Sequence, residues 1–290
     1  MKAPAFEYVA PQSLDEALHV LHHTENARIL AGGQSLIAML NMRFAFPDCL
    51  IDINRVPGLD GIEDKGDSIF IGAMTRQRDV EFSDIVRLKM PLLHEAILNV
   101  GHRQTRNRGT IGGSLCQLDP SAEIPTVATA MDARVHVRSI RGERHISMAD
   151  FPAGYMTPSL KADEMVVGIS FQPWEPDHGS SFIEYARRHG DYAIVSSAVM
   201  VQFANDGLIR RCSITIGGCA TAPVRVPKAE AALMGSTGSD HAIEQAAALC
   251  SEIEASTDAY VTAWYRQRLA RSLTQRALKT AVSRASRSRS

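Results

Sequence analysis

The stretch Ala31-Gly32-Gly33-Gln34-Ser35 lies between an apolar, strand-like segment, residues 27–31, and a helical pattern that begins at Leu36. Glycine permits positive φ and lets a ligand approach the main chain, because it has no Cβ. Successive backbone N–H groups in such a turn form a concavity that suits phosphate oxygens. The order of strand, glycine loop and helix therefore predicts an anion-binding turn in a domain that mixes strands and helices.

A second double-glycine stretch, Thr110-Ile111-Gly112-Gly113-Ser114, has the same character. Ser35 and Thr110 add hydroxyl donors, so the two stretches together could hold the two phosphates of a dinucleotide. A purely structural turn explains either stretch equally well when it is taken alone. A third stretch, Thr215-Ile216-Gly217-Gly218, lies at the end of a predicted strand and precedes Pro223, and we interpret it as a structural turn.

Composition places the chain among ordinary globular proteins. It has 290 residues, a hydrophobic fraction of 45% and a formal net charge of −1, which gives no reason to expect nucleic acid as a partner. No apolar run is long enough to span a bilayer, and the N-terminus lacks the apolar core of a secretory signal, so we expect no membrane span and a cytoplasmic location. The low-complexity basic tail, residues 283–290, is predicted to be disordered.

The sequence offers no metal site and no protein nucleophile. Its five cysteines, Cys49, Cys116, Cys212, Cys219 and Cys250, form no C-x-x-C pair, so neither a zinc site nor an iron–sulfur cluster is expected in this chain. A G-x-G-x-x-G fingerprint, a Walker loop and a G-x-S-x-G elbow are all absent. Any redox chemistry would therefore depend on a bound cofactor, and no catalytic residue is assigned.

Two domains are predicted, the first over residues 1–176 and the second over residues 177–282. The boundary is indicated by Pro173-Trp174-Glu175-Pro176-Asp177-His178-Gly179, which is rich in turn residues. In the first domain, Ser13 and Glu16 form a capping box that predicts a helix over 14–23. The other predicted helices cover 91–100, 123–132, 226–234, 239–253 and 259–282, and the predicted strands cover 49–56, 68–74, 133–139, 143–148, 165–171, 193–204 and 208–217.

Three features leave two interpretations open. Asp119 could accept hydrogen bonds from sugar or ribityl hydroxyls, or it could cap the helix after Pro120. Tyr192, after Gly190-Asp191, could stack on a flat ring, or it could be a core residue at the start of a strand. The basic residues before the second glycine stretch either balance phosphate charge or line a solvated loop; they are Arg103, Arg106 and Arg108.

Over nearly its whole length the sequence resembles the FAD-binding medium subunits of bacterial molybdenum hydroxylases, the group that contains aerobic carbon monoxide dehydrogenase and xanthine dehydrogenase-like enzymes. The motifs that carry this resemblance are Phe6-Glu7-Tyr8, Leu30 to Leu36, Ile71-Gly72-Ala73-Met74-Thr75, Arg106 to Ser114, Asp119-Pro120, Ala186 to Ala193 and Tyr265-Arg266. Gln34 and Ser114 depart from the family, which often has His and Asn at these two positions. Both replacements keep the capacity for hydrogen bonding.

The resemblance implies an α+β fold: an FAD-binding domain of the vanillyl-alcohol-oxidase (PCMH) type in two α+β subdomains, followed by a small C-terminal α+β domain with a three-stranded sheet and helices. It assigns the FAD pyrophosphate to the two glycine stretches, an acidic contact to the ribityl or ribose region, a backbone contact to the flavin ring, and an aromatic cover to the isoalloxazine. The FAD-binding residues implied are Ala31, Gly32, Gly33, Gln34, Ser35, Leu36, Gly109, Thr110, Ile111, Gly112, Gly113, Ser114, Asp119, Glu123, Met165, Val166 and Tyr192.

The role implied by the resemblance is electron transfer. Substrate would be oxidised at a molybdopterin cofactor on a large subunit, and electrons would pass through two [2Fe–2S] clusters on a small subunit to the FAD of this chain and then to an external acceptor. The expected assembly is a dimer of heterotrimers. Two other functions remain open at the level of sequence: a stand-alone FAD-dependent oxidase or reductase of the same fold, and a non-catalytic binding module.

Overall fold

The computed structural model describes residues 2–287, which form eleven α-helices and fourteen strands within that range. The helices are α1 (Leu14–His23), α2 (Leu36–Asn41), α3 (Gln77–Phe82), α4 (Asp84–Lys89), α5 (Pro91–Ile97), α6 (Arg103–Arg108), α7 (Ile111–Gln117), α8 (Glu123–Ala130), α9 (Pro227–Leu233), α10 (Asp240–Leu249) and α11 (Ala263–Arg287). The strands are β1 (Glu7–Val9), β2 (Ala27–Leu30), β3 (Cys49–Asp52), β4 (Ile62–Asp64), β5 (Ile69–Gly72), β6 (Arg134–Ser139), β7 (Gly142–Ser147), β8 (Pro152–Gly154), β9 (Thr157–Pro158), β10 (Met165–Phe171), β11 (Gly179–Tyr185), β12 (Val195–Phe203), β13 (Ile209–Gly217) and β14 (Val224–Arg225).

A small parallel sheet of order β1-β3-β2 carries the first glycine stretch at the end of β2. Its helix α1 begins as the capping box predicts, because the Ser13 hydroxyl accepts a hydrogen bond from the Glu16 N–H at 3.2 Å. The apolar face of α1 covers the sheet through Ala17, Leu18 and Leu21. This packing fixes where β2 ends and where the chain must turn.

A five-stranded antiparallel sheet of order β4-β5-β10-β6-β7 forms the second layer. Strand β10 covers the predicted residues 165–171, and a β-bulge between Val166 and Gly168 interrupts its pairing with β6. One face of this sheet packs on α5, α7 and α8 in the largest apolar core of the molecule. That core places the start of α7, where the second glycine stretch lies, beside the end of β5.

The C-terminal sheet has the order β11-β12-β13-β14. The expectation of three strands was therefore one short, because residues 224–225 add a short edge strand to β13. Strand β11, which the sequence did not predict beyond the boundary stretch that ends at Gly179, pairs along its whole length with β12, from Gly179↔Val201 to Tyr185↔Val195. Helix α11 packs across β11 and β12 and, with α9 and α10, completes the second apolar core.

Helix α11 continues past the predicted end of the helical region. Residues 283–287 belong to it, which corrects the prediction that the tail is disordered from residue 283. Ala285 is fully buried, and Arg284 binds the carboxylate of Glu95 and the carbonyl of Ser180. The final three residues of that tail lie outside the described residues. Between residues 2 and 287, no helix is both long and apolar enough to cross a membrane.

Candidate FAD-binding site

The first glycine stretch presents a row of free backbone donors. Within the described chain, no protein acceptor takes up the N–H groups of residues 32–36, although the carbonyls of Gly33 and Ser35 accept from Ile37 and Met39 in the first turn of α2. Gly33 has φ of +72°, a left-handed conformation that glycine adopts at little cost. The arrangement is a concavity of donors, and donors left free in this way suit an anion.

Gly32 is required for packing. A Cβ at Gly32 would lie 2.1 Å from the Arg108 carbonyl oxygen and 3.0 Å from the Gly109 Cα. No side chain fits at such a distance, so the first stretch lies directly on the backbone that leads into the second. The two glycine stretches therefore lie next to each other, and a shared ligand site between them stays a prediction.

The second stretch forms the first turn of helix α7. It follows helix α6, a segment for which the sequence analysis predicted no helix. Its N–H groups are not free. Ile111 donates to the Thr75 carbonyl, Gly112 to the Ala73 carbonyl, and Gly113 to the Thr110 hydroxyl at 3.1 Å. The expectation that both stretches offer exposed N–H groups was wrong for this one, because the end of β5 and the cap of α7 use them.

The glycines of the second stretch allow close contact. A Cβ at Gly112 would lie 2.6 Å from the Ala73 Cβ, and a Cβ at Gly113 would lie 2.8 Å from the Thr110 hydroxyl and 4.0 Å from the Ala31 Cβ. Gly113 therefore lies beside the first stretch, and a side chain at this position would reduce the space between the two stretches. What this stretch offers a ligand is its side-chain hydroxyls, Thr110 in the cap and the half-buried Ser114, together with the free N–H of Thr110 within the described chain.

Two residues that sequence reasoning missed hold the stretches together. Asn54 donates to the Ala31 carbonyl at 2.8 Å, and Arg76 donates to the Asn54 side-chain oxygen at 2.7 Å and to the Arg108 carbonyl at 2.6 Å. Arg76 therefore links, through hydrogen bonds, the turn after β3 to the residues that precede the second stretch. No spacing in the sequence signals this, because the three segments come together only through the tertiary fold.

Asp119 and Glu123 follow α7. Asp119 is half-buried and Glu123 is buried. Asp119 accepts from the Ser121 N–H at 2.8 Å, so it closes the turn before α8 and does not cap the helix, whose N-cap is Ala122. Burial raises the pKa of Asp119. Glu123 is the first residue of α8 and is only 4% exposed. Both carboxyl groups remain candidates for hydrogen bonds with ligand hydroxyls.

Tyr192 is 56% exposed, which excludes the alternative of a core tyrosine. Burial around its hydroxyl group and negative charge on Asp119 and Glu123 raise its pKa, whereas a hydrogen bond with Ser35 lowers it. The tyrosine hydroxyl therefore lies where the first stretch and the acidic pair meet. Its open ring is available to cover a planar ligand.

Met165 and Val166 lie at the start of β10, paired with Arg138 and Val137 of β6. Met165 packs into the apolar cluster that reaches Ala31, and Val166 packs into the large core that contains Ile111. The strand thus lies between the two layers that carry the glycine stretches. A backbone contact from these residues to a flavin ring stays a prediction.

The other candidate residues fall into supporting positions. Gln34 is exposed and donates to the Gly32 carbonyl at 3.3 Å, Leu36 is half-buried at the start of α2, and Gly109 is buried. Arg106 is 8% exposed and is bound to Glu81, so it does not face a phosphate, whereas Arg103 and Arg108 are exposed. Across residues 2–287, no group of three or more His, Cys, Asp or Glu side chains is placed to hold a metal ion.

The third double-glycine stretch, residues 215–218 at the end of β13, is used for contacts within the protein. A Cβ at Gly217 would lie 2.5 Å from both the Ser196 and the Thr126 hydroxyls, and the Gly218 N–H donates to the Pro120 carbonyl at 2.7 Å. Arg266 in α11 donates to the carbonyls of Gly218 and Ile194 at 2.5 and 2.7 Å. This stretch therefore joins the C-terminal sheet to α8 and has no open donors in a row.

These features fit FAD. The free N–H row of the first stretch suits the pyrophosphate, the hydroxyls of Ser35, Thr110 and Ser114 add donors, the two acidic side chains suit sugar or ribityl hydroxyls, and the exposed ring of Tyr192 suits an aromatic ring system.

Comparison with known families supports this fit. Residues 4–174 match the family described as the FAD binding domain in molybdopterin dehydrogenase, and residues 180–281 match the CO dehydrogenase flavoprotein C-terminal domain. A curated relative is the 6-hydroxypseudooxynicotine dehydrogenase complex subunit alpha of Paenarthrobacter nicotinovorans, with 39% identity over 98% of this chain and 97% of the relative.

Solved structures agree over the same extent. A carbon monoxide dehydrogenase from Hydrogenophaga pseudoflava, in a form lacking the Mo-pyranopterin moiety of the molybdenum cofactor, superimposes with a TM-score of 0.95 at 35% identity, covering 98% of this chain and 99% of that one. Quinoline 2-oxidoreductase from Pseudomonas putida 86 superimposes with a TM-score of 0.94 at 34% identity and the same coverage. Each similarity extends across both the FAD-binding and the C-terminal regions, which confirms the predicted fold.

Proposed function

Because the chain belongs to the family of FAD-binding subunits of molybdopterin-dependent dehydrogenases, we propose that it is the electron-transfer subunit of a heterotrimeric molybdenum hydroxylase. Substrate is oxidised at the molybdenum cofactor of a large subunit. Electrons pass through two [2Fe–2S] clusters of a small subunit to FAD on this chain and leave to an external acceptor. The assembly is a dimer of heterotrimers in the cytoplasm.

The single observation that carries the proposal is the row of unpartnered N–H groups at residues 32–36, closed on one side by the second glycine stretch. Bound FAD would supply the reversible acceptance of electrons, which no side chain of this chain provides. The chain's own task is to bind and orient. Residues 32–36 and Thr110 would hold the pyrophosphate, Asp119 and Glu123 would bind hydroxyls, Tyr192 would cover the ring system, and Met165 and Val166 would contact that ring system through the backbone.

Names of relatives support the division of labour among subunits. One is called the carbon monoxide dehydrogenase medium chain of Hydrogenophaga pseudoflava, at 33% identity, and another the nicotine 6-hydroxylase medium subunit of Paenarthrobacter nicotinovorans, at 37% identity. These two enzymes are named for different substrates, while both chains are similar to this one over 98% of its length. We infer that substrate choice resides on the large subunit.

The test is co-expression of this chain with the large and small subunits of its own complex. We expect a purified complex that contains one FAD per copy of this chain, and a flavin absorbance that is bleached when substrate is added without oxygen. The isolated chain loaded with FAD should show no turnover of organic substrates. A colourless, folded complex would contradict the proposal, and turnover by the isolated chain would favour a stand-alone flavoenzyme.

A further inference from the structure

Glu123 is buried without a cation to neutralise it. It is 4% exposed, and among residues 2–287 its carboxyl group forms no ion pair; its own backbone N–H is the hydrogen-bond donor that favours its ionised form. The nearest cation in its electrostatic surroundings, Arg106, already binds Glu81 at 2.9 Å and the Val100 carbonyl at 3.0 Å. A buried carboxylate without a neutralising cation is costly, and protonation relieves that cost.

A second carboxyl group shares this environment. Glu184 lies on β11 opposite Ser196 of β12, and its Oε2 atom is buried with no hydrogen-bond partner. Ser196 in turn packs at Gly217 against Thr126, one turn along α8 from Glu123. The packing of the C-terminal sheet on α8 therefore places Glu184, a second carboxyl group without a neutralising cation, toward the start of that helix.

The electrostatics of the two groups agree with this geometry. Burial, followed by the negative charge of Glu184, raises the pKa of Glu123 to about 8. Burial raises the pKa of Glu184 to about 7. A hydrogen bond from its own backbone N–H, at the start of α8, and the charge of Arg106 favour the ionised form of Glu123 but do not overcome burial.

The remaining charged groups do not supply a neutralising cation. Asp119 adds negative charge at the start of α8, and the hydroxyl of Tyr192 is neutral in this range. On the elements that pack against β11, Glu95 of α5 and Arg284 of α11 form an ion pair with each other. Both also bind the strand itself, because Glu95 accepts from the Phe182 N–H at 2.9 Å and Arg284 donates to the Ser180 carbonyl.

We propose that Glu123 meets FAD as a protonated, neutral carboxyl group, and that Glu184 is a positioning residue that keeps this proton in place. The inference rests on the proposed function, since FAD is the ligand in question. A neutral carboxyl both donates and accepts hydrogen bonds, and it does not repel the pyrophosphate that lies at the first glycine stretch. Ionisation of Glu123 removes the donor and adds a negative charge beside an anionic ligand.

The sign of the pH dependence follows from this arrangement. Because FAD binds the protonated form, the dissociation constant is flat below the pKa of Glu123, about 8, and rises as pH increases through it, by up to tenfold for each pH unit. In Glu184→Gln the neighbouring negative charge is gone, so Glu123 ionises more readily. The rise in the dissociation constant then begins at a lower pH, while affinity at pH 6 is unchanged.

The experiment measures FAD dissociation constants from flavin fluorescence at pH 6 to 9.5, on the full chain after removal of FAD. Glu123→Gln, which mimics the neutral acid, should bind FAD within about threefold of the wild type at pH 6 and show no rise up to pH 9.5. Glu63→Gln, at a side chain that is 64% exposed, is the matched control and should reproduce the wild-type profile.

Two results would overturn the inference. One is a loss of FAD binding by Glu123→Gln at every pH, which would mean that FAD needs the carboxylate as an acceptor. The other is a wild-type profile that does not change with pH, or a Glu184→Gln profile that matches the wild type. Failure of the wild-type chain to bind FAD at any pH is a different result, and it would contradict the proposed function itself.

Discussion

Gly33→Val is expected to release most of the FAD from a chain that remains folded. The wild-type φ of +72° is a region where a β-branched residue is strongly disfavoured, and the new Cβ would lie 3.1 Å from the Ile37 side chain. The turn must change its φ, which points the N–H groups of residues 32–36 away from a common anion. Losing two charge-assisted hydrogen bonds costs about 3–6 kcal/mol of binding free energy.

The measurement is FAD content after gel filtration, together with the dissociation constant for added FAD. Gly207→Val provides a matched control, because Gly207 has φ of +85° in a hairpin turn and a Cβ there meets nothing within 4 Å. Both variants carry a left-handed backbone penalty of roughly 1–2 kcal/mol. Only Gly33→Val should lose FAD, and normal flavin content in a folded Gly33→Val chain would show that this turn does not hold the pyrophosphate.

Local patterns predicted the local parts of this fold. The capping box at Ser13 predicted the start of α1, the apolar residues that follow at helical spacing predicted its extent, and the apolar run at residues 165–171 predicted all of β10, because each depends on near neighbours in the chain. Strand β11 was missed because its Gly179 and Ser180 resemble a loop. That glycine allows contact with α11, where a Cβ would lie 1.9 Å from the Ala281 carbonyl oxygen.

The site likewise combines features that the sequence predicts with features that only the tertiary fold decides. Two similar glycine stretches were correctly predicted to lie together, yet only the tertiary fold decides which of them keeps its donors free. The carbonyls of Ala73 and Thr75 take up donors of the second stretch from more than thirty residues away, and Arg76 joins segments that no motif connects. Spacing along the chain does not indicate such pairings. The sequence therefore could not show that only the first stretch keeps its N–H groups free.

Arg106→Met is expected to lower the free energy of unfolding by about 3–5 kcal/mol, because it leaves a buried carboxylate without its main partner. Arg106 and Glu81 have side chains that are 10% and 11% exposed, and they meet at 2.9 Å. Burial alone would raise the pKa of Glu81, but hydrogen bonds from Arg106 and Arg78 hold it below its usual value. The stabilisation is thus present at neutral pH and is lost as pH falls and Glu81 takes up a proton.

Urea denaturation at pH 7 and at pH 3.5 measures this effect, because the pKa of Glu81 in the folded chain lies below its ordinary 4.5, and the difference between variant and wild type should shrink at the lower pH. Arg106→Met combined with Glu81→Met should recover part of the loss at pH 7, because the buried carboxylate is gone and the only charge that loses its partner is Arg78, whose side chain is 23% exposed. Arg87→Met, at an ion pair with Asp84 whose side chains are 57% and 79% exposed, is the control and should change the unfolding free energy by less than about 1 kcal/mol. An Arg106→Met chain of wild-type stability that no longer retains FAD would instead mean that this arginine contacts the phosphates.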